Sequence, residues 1–129
     1  MLRDSSAFSG FSVKDIDRAR TFYKDTLGLN VLDDPMGFLD LALGTGGVVL
    51  VYQKDNHVPA EYTCLNFPVD DIDEAVTWLN DRGVVTKIYD GDSTDERGIA
   101  RGSASGDGPD ICWFKDPDGN VLSVVVTGT

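Results

Sequence analysis

The segment FSVKDIDRARTFYKD at residues 11–25 returns as FPVDDIDEAVTWLND at residues 67–81. The two segments are identical at eight of their fifteen positions, and a glycine follows each of them, Gly28 and Gly83. The copies lie about 56 residues apart in a chain of 129, and a repeat of that length predicts two copies of one supersecondary unit. The repeat therefore decides the expected fold.

Each copy predicts a strand, then a helix, then further strands. The helices are predicted at 15–27 and 71–82, because apolar side chains recur at three- and four-residue spacing. Asp15 and Asp71 are suitable N-caps, and the glycine after each copy stands where a left-handed residue often ends a helix. The predicted strands occupy residues 6–13, 29–34, 37–43 and 48–53 in the first copy, and 61–69, 84–90, 98–104, 110–115 and 121–127 in the second.

This order of elements predicts an α+β fold of two tandem βαβββ modules, at residues 6–54 and 61–127, within a single domain of residues 1–129. A chain of this length buries about two thirds of its unfolded surface. A composition that is 41% hydrophobic and 26% charged is ordinary for a soluble globular protein. Residues 90–98 are polar and predict a loop.

The chain carries a net charge of −11, from 22 acidic and 11 basic residues. That balance argues against nucleic acid or an anionic membrane as a partner; it favours a cationic ligand, although solubility is its plainer explanation. No apolar run approaches the ~20 residues of a membrane span. The first residues lack the apolar core of a signal peptide, so a cytoplasmic protein is expected. Cys64 and Cys112 form no zinc motif and are expected to stay reduced.

Several catalytic and metal-binding motifs are excluded. The chain has neither a P-loop nor GxGxxG. The stretch that begins at Asp90 resembles a calcium-binding loop, but Asp95 stands where the turn glycine belongs and Arg101 where the bidentate glutamate belongs. Residues 116–120, DPDGN, predict a hairpin turn. Residues 54–61 form the linker between the two copies. His57 is the single histidine and lies in this linker with no serine near it in sequence, so no Ser-His-Asp triad is expected.

Two tandem modules that each open with V-x-D-I-D-x-A, the second closing with F-K-D-P-D-G-N-V-L-S-V, resemble the vicinal oxygen chelate superfamily. Its members include glyoxalase I, extradiol dioxygenases, fosfomycin resistance enzymes and bleomycin resistance proteins. The resemblance covers nearly the whole chain and implies a cupped mixed sheet, the glyoxalase/bleomycin resistance/dioxygenase fold. In metal-dependent members, the ligands lie on the concave face of the cup.

The resemblance implies four positions for metal ligands. Two lie five residues before the Val of V-x-D, which are Phe8 and Cys64 here. A third lies three residues after the Asn of D-P-D-G-N, which is Ser123, and Leu50 is its counterpart in the first copy. Phe and Leu cannot coordinate a metal, neutral Ser is a poor ligand, and one Cys does not make a site. We therefore expect neither a metal nor another cofactor.

The expected pocket lies on the concave face, where strand alternation places the four positions together with neighbouring side chains. A mixture of aromatic, apolar and a few polar groups is typical of a small-molecule pocket. The sequence identifies no catalytic residue. The expected ligand-binding residues are Phe8, Leu50, Tyr52, Cys64, Asn66, Arg101, Trp113 and Ser123.

The resemblance favours the function of the bleomycin resistance proteins, which are antibiotic resistance proteins. It implies metal-independent binding or sequestration of a small organic molecule, with a cationic drug as one candidate. A homodimer is expected, because open strand edges tend to be covered by a partner and because the resemblance points the same way. The alternative is an enzyme of the same superfamily, either a lyase or dioxygenase with an atypical site, or an acid–base catalyst using Asp40, Tyr52 or Tyr62. A third hypothesis is an interaction module whose cup is filled by Phe8 and Leu50.

Overall fold

A computed structural model describes residues 1–127; residues 128 and 129, which the predicted domain includes, lie outside the described residues. The chain separates into two compact units. Unit 1 is Met1–Pro59, and unit 2 begins at Ala60. The boundary falls in the linker that separates the two copies of the repeat.

Unit 1 contains one βαβββ module, preceded by a 3-10 turn at Leu2–Asp4. The elements of unit 1 are β1 (Ser9–Val13), α1 (Ile16–Arg20, continuing as a π-helix over Thr21–Thr26), β2 (Asn30–Asp33), β3 (Leu39–Ala42) and β4 (Val48–Gln53), so the predicted helix is present. The sheet has the strand order β1-β4-β3-β2, in which β1 and β4 are parallel and the other pairs are antiparallel.

Helix α1 begins at the predicted N-cap. The Asp15 carboxylate accepts the backbone N–H groups of Asp17 and Arg18, both at 3.1 Å, which satisfies two donors that a helix start leaves free. Toward the end, the hydrogen bonding widens, and the N–H of Leu27 bonds to the carbonyl of Phe22. The apolar spacing that predicts the helix does not predict this π-helical stretch.

Unit 2 repeats the module. Its elements are β5 (Thr63–Pro68), α2 (Ile72–Asp81), β6 (Ile99–Arg101), α3 (Gly102–Ser105), β7 (Asp110–Lys115) and β8 (Val121–Val125). The sheet of unit 2 has the strand order β5-β8-β7-β6, with the same parallel pairing of its first and last strands. The two units confirm the tandem βαβββ fold. None of the helices in residues 1–127 is long and apolar enough to cross a membrane.

Two predicted strands of unit 2 need correction. Residues 84–90 are not a strand; the Thr86 hydroxyl there donates to the carbonyl of Arg97 at 2.7 Å, so a side chain rather than a β-ladder makes the contact with the next segment. The predicted strand 98–104 is shortened to β6, because the chain turns into α3. A Cβ on Gly102 would lie 2.5 Å from the carbonyl oxygens of Gly108 and Pro109, so only glycine fits this turn.

Each sheet has one side packed against its own helix and one side that faces away from it, called here the helix-free face. Alternate residues of the strands form the buried, helix-packed side, as period-two alternation requires. Strand β8, one of the two central strands of its sheet, is buried along its whole length, so its residues on the helix-free face are buried as well. The helix-packed side contains Val13, Leu39, Leu41, Val49 and Val51 in unit 1, and Ile99, Cys112, Phe114, Leu122 and Val124 in unit 2.

Candidate functional site

The helix-free face of unit 1 carries two of the predicted residues, Leu50 and Tyr52. Leu50 pairs with Gly10 on one side and Asp40 on the other, and Tyr52 pairs with Ser12. Both Leu50 and Tyr52 are half-buried. A Cβ on Gly10 would lie 3.1 Å from the carbonyl of Leu50, so the two strands approach closely at this point.

Phe8 lies just before β1 and is 68% exposed. It is therefore not a core residue of unit 1, and the hypothesis that Phe8 fills the cup is wrong for this part of the fold. An exposed aromatic ring near the helix-free face remains compatible with a contact to a ligand.

Replacement of Phe8 by alanine is expected to change the free energy of unfolding by less than about 1 kcal/mol, because exposed side chains contribute little to stability. The matched control is Phe22→Ala in the same unit, where Phe22 is 8% exposed and a loss of about 3–5 kcal/mol is typical of a core phenylalanine. Urea denaturation of both variants measures the difference. Equal losses would show that Phe8 is packed as a core residue after all.

His57 is brought against β1, which its position in the linker did not predict. The Nδ1 atom of His57 lies 2.6 Å from the Ser12 hydroxyl. Nearby, the Lys14 ammonium donates to the carbonyl of Asp55 at 3.0 Å and the N–H of Lys54 to the carbonyl of Val13 at 2.9 Å. In a Ser-His-Asp triad, Nδ1 faces the carboxylate and the other nitrogen faces the serine. This pair therefore lacks triad geometry and serves to hold the linker on the sheet.

The helix-free face of unit 2 brings together Asn66, Ser123 and Trp113, which lie side by side on β5, β8 and β7. The hydroxyl of Ser123 donates to Oδ1 of Asn66 at 2.5 Å. The indole Nε1–H of Trp113 donates to Oγ1 of Thr63 at 3.1 Å. The ring of Tyr89 meets that of Trp113 edge to face, with centroids 5.6 Å apart. Three of the eight predicted residues thus share one surface.

Thr63 and Tyr89 are residues that sequence reasoning missed. A register shift between Thr63 and Leu65 inserts an extra residue, Cys64, into β5. Strict alternation along the strand predicts that Cys64 shares a face of the sheet with Asn66. Because of the bulge, Thr63 takes that place and lies on the same face as Trp113. Tyr89 was missed because its segment reads as a strand. An aromatic residue next to an acidic loop is the one signal that could have found it.

Cys64 is half-buried, and burial raises the pKa of its thiol to about 11, with the nearby Asp116 carboxylate adding to the effect. The thiol is therefore protonated at neutral pH. A protonated thiol is a poor metal ligand and a poor nucleophile. Cys64 can contact a ligand by packing, but its environment does not activate it.

Arg101 lies on the helix-packed side and not with Asn66. Its guanidinium forms two hydrogen bonds to the Asp73 carboxylate on α2, at 2.7 and 2.9 Å. This contact, with Arg97 at 3.1 Å from the same carboxylate, holds the pKa of Asp73 below its usual value. The side chain follows the parity of β6, where Ile99 and Arg101 flank Ala100, and it fixes that edge strand to the helix.

The four positions for which the resemblance implies metal ligands do not fit a divalent ion. Phe8 and Leu50 have no donor atom, Cys64 carries a protonated thiol, and the hydroxyl of Ser123 is bonded to Asn66. Nor do any three His, Cys, Asp or Glu side chains within residues 1–127 form a cluster suited to a metal. The side chains at these positions therefore do not provide the donors that a divalent ion needs.

Comparison with known proteins assigns this chain to a family. A profile of the Glyoxalase/Bleomycin resistance protein/Dioxygenase superfamily matches residues 8–124. The metallothiol transferase FosB of Staphylococcus saprophyticus subsp. saprophyticus is 32% identical over 124 residues, which are 92% of this chain and 74% of that protein.

Two solved structures have a similar fold. One is a member of the same superfamily from Sphaerobacter thermophilus, with a TM-score of 0.68, 26% identity and coverage of 98% of this chain and 100% of the other. The second is TnmS3, an antibiotic binding protein from Streptomyces sp. CB03234, with a TM-score of 0.66, 26% identity and coverage of 97% and 98%. The chain belongs to the glyoxalase/bleomycin resistance protein/dioxygenase superfamily.

Proposed function

We propose that this protein binds and sequesters a small organic molecule without a metal ion, and that the helix-free face of unit 2 is the principal site. The observation that carries the proposal is the row formed by Asn66, Ser123 and Trp113. Ser123 occupies a ligand position of the metal-dependent relatives, and it here supports a polar amide beside an aromatic ring. Such a combination of a ring with a few polar groups is usual for an organic ligand.

The amide of Asn66 is the polar group best placed to meet a ligand. Its Oδ1 accepts the hydrogen bond of Ser123, while its side chain is exposed. Within residues 1–127, no protein acceptor takes the Nδ2 hydrogens, so a ligand carbonyl can accept them. Because the hydroxyl fixes the amide orientation, the two donors are held in place before binding.

The ligand class that we favour is a cationic drug. The net charge of −11 raises the local concentration of cations near the protein. The similarity to TnmS3, an antibiotic binding protein, supports binding of an antibiotic. Leu50 and Tyr52 in unit 1 offer a second surface, on which an apolar side chain and a phenol ring lie beside the carboxylate of Asp40.

A second candidate function is catalysis, which the similarity to a metallothiol transferase favours. In unit 1, Asp40 and Leu50 are neighbours on the helix-free face and Tyr52 follows on the same strand face, so a carboxylate and a phenol share one surface. A lyase, dioxygenase or transferase of this family would need a donor set other than Phe8, Leu50, Cys64 and Ser123. We therefore rank binding above catalysis.

A thermal-shift screen with small aromatic, cationic and thiol-conjugate compounds tests the proposal. A ligand present at 100 times its Kd stabilises the folded state by about 2.7 kcal/mol, which a melting experiment resolves. Asn66→Ala is expected to change which compounds bind. The change also leaves the buried hydroxyl of Ser123 without its acceptor, at a cost of about 1–3 kcal/mol, so each shift is compared with the melting temperature of the free variant. The matched control is Asn56→Ala, at an exposed turn outside both sheets. A screen without a single stabilising compound would contradict the proposal.

We further propose that the protein is a homodimer. In each unit, two strands lie at sheet edges, β1 and β2 in the first and β5 and β6 in the second, and exposed strand edges favour association. Light scattering at tens of micromolar is expected to give twice the chain mass of 14.0 kDa. A mass equal to that of one chain would contradict the proposal.

A further inference from the structure

We infer that Tyr89 and Trp113 form a preformed subsite for a planar aromatic ring system of the ligand, and that Lys87 is a positioning residue that holds Tyr89 there. The inference rests on the proposed function, because it assigns one part of the ligand to one part of that face. It adds the shape of the group that this part of the site takes.

The two rings form a corner. Their planes are inclined by 76° and their centroids are 5.6 Å apart. The indole of Trp113 cannot turn freely, because its N–H is bonded to Thr63. Tyr89 is 38% exposed, and Trp113 is partly exposed. A flat ring can stack on one of these planes and present its edge to the other, which are the two arrangements that aromatic pairs prefer.

Lys87 closes the loop that contains Tyr89. Its ammonium lies 2.5 Å from the hydroxyl of Thr94, 3.2 Å from the carbonyl of Thr94 and 3.3 Å from the carbonyl of Gly91. Thr94 is buried, so the anchor is part of the folded interior. The three N–H donors of the ammonium are matched by three acceptors. Tyr89 lies between the lysine and its anchor and is thereby restrained.

The chain before Lys87 is fixed as well. The amide of Asn80 and the carbonyl of Arg97 both bond to the hydroxyl of Thr86, at 3.0 and 2.7 Å. The backbone of Thr86 also packs against Gly98 so closely that a Cβ there would overlap its carbonyl oxygen. The chain is therefore held on both sides of Tyr89. A segment that is already held in place loses little conformational freedom on binding, which favours affinity.

Ring shape, rather than charge, is what this pair selects. The exposed Asp90 follows Tyr89 directly, and the exposed Lys115 lies two positions after Trp113 on the same face of β7. Charges of both signs therefore flank the rings. The net negative charge of the chain raises the concentration of cations around the protein as a whole. Only a planar group gains the stacking contact with the two rings.

The test compares two cations of different shape. We choose 9-aminoacridine, which is planar and aromatic, and 1-aminoadamantane, which is a compact aliphatic cage; both carry one positive charge at neutral pH. Calorimetry is expected to show that the full-length protein binds 9-aminoacridine about tenfold more tightly than 1-aminoadamantane. Tyr89→Ala should remove that preference. The matched control is Trp78→Ala, because Trp78 lies on α2 with nearly the same exposure, 39%, and should leave the preference intact.

A double-mutant cycle tests the role of Lys87. Lys87→Met is expected to weaken 9-aminoacridine binding by several-fold, since the loop that carries Tyr89 is released. The same change should have no effect on affinity when Tyr89 is already alanine. An equal loss in both backgrounds would show that Lys87 does not act through Tyr89 and would overturn its assignment as a positioning residue.

The outcomes separate this inference from the proposed function. If the protein prefers 9-aminoacridine and Tyr89→Ala retains the preference, the aromatic subsite is wrong while small-molecule binding stands. If neither probe binds, the aromatic subsite is again wrong, and the thermal-shift screen, which includes other shapes and charges, decides the proposed function independently. Loss of the preference in Tyr89→Ala but not in Trp78→Ala supports the subsite.

Discussion

Gly98→Ala is expected to destabilise unit 2 by about 3–5 kcal/mol, because steric overlap and backbone strain add together. Gly98 is buried and has a φ of 88°, where a side chain is unfavourable. An added Cβ would lie 1.9 Å from the carbonyl oxygen of Thr86, far inside contact distance. The obstacle is backbone and not a flexible side chain, so residues 86 and 87 would have to move. Urea denaturation measures the loss.

Gly91→Ala is the matched control for this prediction. Gly91 lies in the same loop and also has a positive φ, 96°, but nothing lies within 4 Å of its Cβ position. Only the conformational strain remains there, and a loss of about 1–2 kcal/mol is expected. If the two variants lost equal stability, the close approach of Gly98 to Thr86 would not be a feature of the folded protein. The segment that carries Tyr89 would then not be fixed in the way described.

Asp116→Ala is the second substitution with a large expected effect, a loss of about 3–5 kcal/mol, because it leaves buried donors without acceptors. Asp116 is 4% exposed, and its carboxylate accepts hydrogen bonds of 2.9 Å from the N–H groups of Asp118 and Asn120 and from the side-chain amide of Asn120. These bonds close the turn between β7 and β8. The turn sets the register that places Trp113 beside Ser123.

The matched control is Asp34→Ala, since residues 34–37 have the same Asp-Pro-x-Gly pattern as residues 116–119. There the carboxylate accepts a hydrogen bond from the N–H of Met36, at 2.8 Å in an exposed turn. The expected loss is about 0.5–1 kcal/mol. Similar losses of stability at the two turns would mean that the burial of Asp116 does not contribute to the free energy of unfolding. Asp116→Ala should also weaken ligand binding at temperatures where the free variant is partly unfolded, because only the folded fraction is competent to bind.

Features that depend on local pattern could be predicted from the sequence. The repeat predicts the module, the two helices and the aspartates that cap them, because N-caps and apolar spacing depend on residues only a few positions apart. Strand β4 and strand β7 have the bounds predicted for them. Asn66, Ser123 and Trp113 share one face for the same reason, as strand alternation is a local rule.

Features that depend on contacts between distant parts of the chain could not be predicted from the sequence. Residues 84–90 have the composition of a strand, but hydrogen bonds to residues 94 and 97 hold them in another path. The bulge at Cys64 interrupts the alternation of side chains along β5, and no residue type in β5 indicates a bulge. The pairing of His57 with Ser12 spans 45 residues, so inspection of neighbours in sequence could not find it. The guanidinium of Arg101 is bonded to the carboxylate of Asp73, which lies 28 residues earlier.

We propose that this chain binds an organic ligand without a metal ion. The decisive test is the affinity of the tightest compound from the thermal-shift screen, determined by calorimetry on protein treated with a chelator and on the same protein supplied with Zn²⁺, Mn²⁺ or Ni²⁺. Since Phe8, Leu50, Cys64 and Ser123 do not form a metal site, equal affinities are expected in all preparations. Binding that appears only after a metal is restored, or conversion of the bound compound when the metal is present, would contradict metal-independent binding.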